Sequence, residues 1–198
     1  DDGKFNVYLG NKEKGVTGEK FVASVLSSNG YTQNTGGGGS SSYDLRFSGK
    51  HIEVKTSFAM KNAGTIVYDM FKWQHIGIHK NWDYIAFLGI NPESSLNCKI
   101  RRGWRANPQE VNLLWFSKDD ILQFIKAGLL TIQQGGQASD NDDYWTIASF
   151  FKEIDYGQDY RSIPFWNSLE KATDGNLQNE SIWKDTIKLW KQKKLLKI

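Results

Sequence analysis

The stretch YDLRFSGKHIEVKT, residues 43–56, decides the fold. Polar and apolar residues alternate on both sides of Ser48-Gly49-Lys50, the pattern of two strands joined by a tight turn. Side chains alternate faces along a strand. Asp44 and Arg46 therefore share one face of the first strand, and His51, Glu53 and Lys55 share a face of the second. Leu45, Phe47, Ile52 and Val54 take the opposite faces. Two registers fit. A Ser48-Gly49 turn pairs Phe47 with Lys50 and sets Asp44 opposite Glu53, whereas a Gly49-Lys50 turn sets Asp44 opposite Lys55 with Glu53 on the diagonal. Either way the charges gather on one face.

Two carboxylates close together on a sheet repel each other. A cation between them removes the conflict, and oxygen ligands suit a hard divalent ion, Mg²⁺ first. Lys55 stands beside them, where an ammonium can hold a water or neutralise charge on a phosphate. Such an ion polarises a phosphate oxygen and acidifies bound water. The competing reading is a surface hairpin with one salt-bridged face. The apolar alternation at Ile52 and Val54, and the buried-strand pattern that follows, weigh against it.

Working outward, Phe21, Val22, Val25 and Leu26 recur at helical spacing and predict a helix over Gly15–Asn29, closed by Asn29-Gly30. Residues 35–42, TGGGGSSS, read as a flexible low-complexity loop, or as an engineered linker. Thr65–Tyr68 fits a third strand. Met70–His79 is ambiguous between helix and strand. Tyr84–Ile90, YIAFLGI, is a nearly continuous apolar run of the kind found in buried central strands. Asn97–Arg102 fits another strand, and Val111–Phe116 is again apolar. Ser117-x-x-Asp120 resembles a capping box and predicts a helix over Lys118–Ala127 that stops at Gly128. Leu129–Gln133 can add a strand. The order helix, hairpin, strand, strand, helix predicts a mixed α/β fold.

The chain has 198 residues, enough for one domain or one domain with an appendage. Its net charge of +3 permits a nucleic-acid partner without demanding one. The 14% aromatic content, with 8 Trp, suits a packed core or base stacking alike. The single cysteine, Cys98, excludes a disulfide framework within one chain and a Cys-based structural zinc site. It fits a reducing compartment, and a cytoplasmic location is expected. No apolar run approaches membrane-spanning length and no signal peptide is recognisable. The first residue is Asp1 rather than Met, which fits a chain trimmed or cut from something longer.

Asp44 followed by Glu53-Val54-Lys55 resembles the motif of the PD-(D/E)xK nuclease superfamily. The resemblance spans roughly residues 15–130 and is strongest over residues 43–57. Tyr43 stands where the motif name has Pro. It implies a restriction-endonuclease-like mixed β-sheet core flanked by helices over residues 1–134. Residues 135–198 would then form a helical and aromatic C-terminal extension for recognition, dimerisation or packing. It implies metal binding by Asp44, Glu53 and the Val54 carbonyl, with Lys55 near the nucleophilic water and Glu19, on the preceding helix, as a further acidic residue. The cofactor would be Mg²⁺, with Mn²⁺ as a substitute. The expected activity is a metal-dependent endodeoxyribonuclease, a restriction endonuclease or a subunit of one. It would act on double-stranded DNA as a homodimer or with a partner nuclease subunit. A repair, junction-resolving or phage nuclease of the same fold is the nearer alternative, and a non-catalytic DNA-binding protein on a nuclease scaffold the more distant one.

Other candidates have plainer readings beside them. Glu19 also suits a solvated first-turn helix residue. His75 and His79 are four apart and could share a helix face, but they lack the glutamate and third ligand of a zinc motif. Lys72 and Gln74 lie where related enzymes sometimes add polar groups. Arg101, Arg102 and Arg105, with Trp104 interleaved, suit either a phosphate-backbone surface or a solvated strand and turn. The last segment places Ile182, Trp183, Thr186, Ile187 and Trp190 on one helix face. Its lysines fit a basic outer face better than a groove-reading one. The glycine run lacks the Gly-Lys-Ser/Thr of a P-loop.

Overall fold

A computed structural model of the protein describes residues 11–26, 32–33, 43–61, 68–90, 98–101, 111–133 and 141–154. The elements are α1 (Asn11–Leu26), β1 (Thr32–Gln33), β2 (Leu45–Phe47), β3 (Lys50–Phe58), β4 (Met60–Lys61) and β5 (Tyr68–Met70). Then come β6 (Ile76–Gly77), β7 (Tyr84–Ile90), β8 (Cys98–Arg101), β9 (Val111–Ser117) and α2 (Lys118–Lys126). The series closes with β10 (Leu130–Ile132), β11 (Asp143–Thr146) and α3 (Phe150–Glu153). The fold is mixed α/β and richer in strands than in helices.

Six strands form the main sheet in the order β1-β2-β3-β7-β9-β8. The β1/β2, β2/β3 and β7/β9 pairs are antiparallel, while β3/β7 and β8/β9 are parallel. A second sheet runs β10-β11-β6, and β4 pairs with β5. The apolar run of β7 lies at the centre of the main sheet, and every residue from Ile85 to Ile90 is buried. A strand covered on both faces needs apolar side chains on both, which explains the absence of alternation there.

One face of the sheet carries Ile85 and Phe87 of β7 beside Phe116 and Leu114 of β9. It packs against Phe71, Trp73, Ile121, Phe124, Phe150 and Phe151 in one aromatic-rich core. The Trp73 ring stacks on Phe87 at 4.9 Å, and its Nε1 donates to the Leu88 carbonyl at 3.1 Å. Helix α2 is capped as its sequence predicts. The Ser117 side chain accepts from the Asp120 N–H at 3.1 Å, and the Asp120 carboxylate accepts from the Ser117 N–H at 2.8 Å. The chain leaves α2 through Gly128 at φ 74°.

Parallel strands need a crossover, usually a helix. Here residues 59–83 make the connection from β3 to β7, and the described part is extended with short strands. Met70–His79 is therefore neither a helix nor one strand. His75 has a left-handed backbone, φ 57°, so His75 and His79 do not share a helix face. Helix α1 begins at Asn11 rather than Gly15. Strand β5 begins at Tyr68, where the proposed third strand was to end. Tyr144, Phe150, Phe151 and Ile154, from beyond residue 134, belong to the same core as Phe87 and Leu114. Among the described residues no helix is long and apolar enough to cross a membrane.

Candidate active site

The hairpin turn is Ser48-Gly49, with φ 49° and 75°. Positive φ at both central residues matches the right-handed twist of the flanking strands, and glycine at the second carries no Cβ penalty. The resulting register pairs Phe47 with Lys50, Arg46 with His51 and Leu45 with Ile52. It is the alternative in which Asp44 comes next, opposite Glu53.

At Asp44 the backbone ladder gives way to side-chain bonding. The Asp44 N–H donates to the Ile52 carbonyl at 2.9 Å, and the Asp44 Oδ2 accepts the Val54 N–H at 2.7 Å. In a strand the N–H and C=O of one residue point the same way, so the Val54 carbonyl lies on the Asp44 side of β3. The Tyr43 ring stacks on the His51 ring at 4.0 Å, pinning the residue before Asp44 to β3. Asp83, at the entry to β7, holds the other side. Its Oδ2 accepts the His51 N–H at 2.8 Å, and its own N–H donates to the His51 carbonyl at 2.9 Å.

Glu53 and Lys55 stand beside Ile85 and Phe87 on the same face of the sheet. This explains why a carboxylate is buried there. The Glu53 side chain is 5% exposed, and its Oε1 lies 2.6 Å from Lys55 Nζ and 3.6 Å from Lys80 Nζ. An unpaired carboxylate at that depth would be costly, and two ammonium groups on one oxygen offset the cost.

Glu19 reaches the same site from α1. Gly18 packs so closely on Thr56 of β3 that a Cβ there would overlap the Thr56 hydroxyl. Burial first, and then the charges of Asp44 and Glu53, raise the Glu19 carboxyl from 4.5 to about 7 against the pull of Lys55. Asp44 is pushed from 3.8 up to about 6, by burial and then by Glu53, against the Val54 N–H, Lys55 and Lys80. The charge of Glu53 thus sits close enough to resist the ionisation of both Glu19 and Asp44.

The donor set is all oxygen: the carboxylates of Asp44, Glu53 and Glu19, and the Val54 carbonyl. This set fits Mg²⁺ or Mn²⁺ in kind, and the mutual repulsion is what such an ion relieves. In the arrangement seen, Glu53 faces its lysines. Among the described residues, no three acidic, His or Cys groups already surround a common point. An ion held by Glu53 would have to displace an ammonium from it.

The other sequence candidates fall elsewhere. The Lys72 N–H donates to the Ser57 hydroxyl at 2.9 Å, and its Nζ lies 3.4 Å from the centroid of the Trp145 ring. Gln74 is exposed. His75 meets Asp143 at 3.4 Å and takes the Gln133 side-chain oxygen on its backbone N–H at 2.9 Å. Arg101 stands on β8, three strand spacings from β3, which is about 14 Å across the sheet. Arg102 and Arg105 lie outside the described residues, as do 35–42 and the terminal segment 155–198. Lys80 and Asp83 are the residues the sequence did not flag. Neither belongs to a motif, and both reach the site only through the fold of the crossover. Compared with protein-family models, with curated protein sequences and with solved structures, the chain has no match.

Proposed function

We propose that this chain is a metal-dependent endodeoxyribonuclease of the PD-(D/E)xK kind, on a restriction-endonuclease-like fold. The observation that carries the reading is the Asp44 carboxylate bonded to the Val54 N–H at 2.7 Å, opposite a buried Glu53 that already shares its charge with Lys55. The order of elements supports it: a helix bearing Glu19, a strand entered at Asp44, and a neighbouring strand bearing Glu53 and Lys55.

Asp44, Glu53 and the Val54 carbonyl would hold Mg²⁺, with Glu19 closing the acidic side. When bound, the ion would polarise a phosphate oxygen and acidify a water. Lys55, released in part from Glu53, orients that water and balances the charge that builds on the phosphate. Glu19, on the acidic side of the site, would take the proton of the attacking water. The water oxygen bonds to phosphorus as the bond to the leaving oxygen breaks, and solvent returns a proton to that oxygen. Two cuts in a duplex from one site per chain favour a homodimer or a second nuclease subunit.

The test is cleavage of plasmid and branched DNA in Mg²⁺ by the wild type, Asp44→Ala and Lys55→Ala. Cutting by the wild type alone supports the reading. Cuts at fixed sequences identify a restriction enzyme, and cuts at branches identify a repair or junction nuclease. Equal DNA binding by all three with no cutting under varied metals and substrates sinks the enzymatic reading and leaves a DNA-binding protein.

A further inference from the structure

The crossover from β3 to β7 runs over the functional face. It passes Gly89 with the Phe71 ring, Ser57 with the Lys72 N–H, Phe87 with Trp73, and arrives over Glu53 with Lys80. The last turn of this path is fixed from several sides. The Lys80 N–H donates to the Gly77 carbonyl at 3.3 Å, and Trp82 Nε1 donates to the same carbonyl at 2.9 Å. Lys118 Nζ, at the start of α2, donates to the Lys80 carbonyl at 2.7 Å. The Lys80 side chain lies across Gly77, with its Cε 3.2 Å from where a Cβ would stand. A lysine on a free surface loop has no such mount.

Lys55 and Lys80 differ in how they meet Glu53. Lys55 is within hydrogen-bond distance at 2.6 Å and is 17% exposed, whereas Lys80 is at 3.6 Å and is 32% exposed. Lys55 holds the carboxylate. Lys80 is attracted to it without being bonded to it, and keeps the more open position. A divalent ion on Glu53 would repel both ammonium groups, and Lys80, the more exposed one, would move with less loss of packing. Beside Glu53 it would remain within reach of a phosphate that such an ion holds.

We infer that Lys80 is a further catalytic residue, contacting a non-bridging oxygen of the phosphate under attack. This rests on the nuclease reading above. The charge on that oxygen grows as the water adds, so an ammonium mounted beside it favours the transition state over the ground state. An exposed Lys can bind DNA anywhere, but it then affects binding and salt dependence rather than the rate of cutting.

The experiment compares single-turnover cleavage by wild type, Lys80→Met and Lys80→Arg across a Mg²⁺ titration, with DNA affinity measured in Ca²⁺. Lys80→Met keeps length and packing, and thermal melting verifies its fold. The expected result is a loss of about 10²–10³-fold in the maximal rate, the scale of one lost transition-state donor. Mg²⁺ half-saturation and Ca²⁺-supported affinity stay within about threefold, and Lys80→Arg recovers part of the rate. Gly77→Ala, whose methyl meets the His79 ring and the Asp143 carboxylate as well as the Lys80 stem and removes no charge, gives a smaller loss. A maximal rate within about twofold of wild type overturns the inference while the nuclease reading stands. A Lys80→Met defect that vanishes at high Mg²⁺ also overturns it, since Lys80 then acts only by holding Glu53. If the wild type itself cuts no DNA, the nuclease reading fails and this inference fails with it.

Discussion

The Asp44 carboxylate takes the Val54 N–H, a backbone donor that the strand ladder of β2 would otherwise satisfy. One side chain thus both ends a strand and faces the Glu53 carboxylate across it. The two roles separate by substitution. Asp44→Asn keeps an oxygen for Val54 but loses the charge, so the proposed metal-dependent cleavage should be lost if Asp44 helps to hold the ion. In metal-free buffer at pH 8 its melting temperature equals or exceeds the wild type's, because a repelled carboxylate is gone. Asp44→Ala loses cleavage as well and melts lower than Asp44→Asn, since an orphaned N–H costs about 1–3 kcal/mol. Equal melting of the two variants would show that the Val54 bond carries no stability.

The raised pKa values fix a sign for pH dependence. Glu19 and Asp44 titrate at about 7 and about 6 in the folded protein, above their ordinary 4.5 and 3.8. The folded state therefore binds more protons than the unfolded state between about pH 4 and pH 7, and stability falls as pH rises through that window. Melting in EDTA should be higher at pH 5 than at pH 8. On the proposed function Mg²⁺ binds the ionised carboxylates, so it should raise the melting temperature more at pH 8 than at pH 5. Cleavage should rise from pH 5 to pH 8. An EDTA melting curve that climbs with pH, or a Mg²⁺ effect larger at pH 5, contradicts the repulsive carboxylate cluster.

The hairpin was legible because a period of two with charges in phase needs no tertiary information. Residues 43–56 gave both registers, and only the turn conformation at Ser48-Gly49 chooses between them. The apolar run at β7 and the Ser117–Asp120 box were legible for similar reasons, since burial on two faces and a capped helix start are written locally. The crossover was not. Its Trp73, Ile76 and Trp82 are buried in a core shared with residues distant in sequence, such as Phe87, Tyr144 and Phe150, rather than by a repeating face, so no period marks them. Lys80 looks like any lysine in a turn. Its approach to Glu53 depends on Lys118, Trp82 and Gly77 holding that turn in place.

Trp73 ties the crossover to the sheet, and its substitution tests how far the site depends on that attachment. Trp73→Phe keeps a ring over Phe87 but leaves the Leu88 carbonyl without its indole donor. The expected cost is about 1–3 kcal/mol, or several degrees in melting temperature. Trp73→Ala opens a cavity and costs about 3–5 kcal/mol. Both variants should lose activity beyond their loss of folded protein, because the segment that carries Lys80 loses its anchor. Activity per folded molecule equal to wild type would separate the anchor from the site.

Gly18 and Thr56 set how close α1 comes to β3, and so where Glu19 sits. A methyl at Gly18 meets the Thr56 hydroxyl and Cβ, so helix and strand must move apart. Alanine gains about 1 kcal/mol over glycine inside a helix, while overpacking of this kind costs about 1–3 kcal/mol. The overlap is with a β-branched side chain on a central strand, which cannot swing aside, so the cost wins. Gly18→Ala should melt below wild type and cleave more slowly, as Glu19 is lifted from Asp44. Thr56→Ala removes the overlapping hydroxyl and methyl, and that hydroxyl is buried without a hydrogen-bond partner among the described residues, so its loss is cheap. The double variant Gly18→Ala/Thr56→Ala should therefore recover both stability and cleavage relative to Gly18→Ala. Additive losses in the double variant would mean that the two residues do not set the spacing together, and that Glu19 is placed by something else.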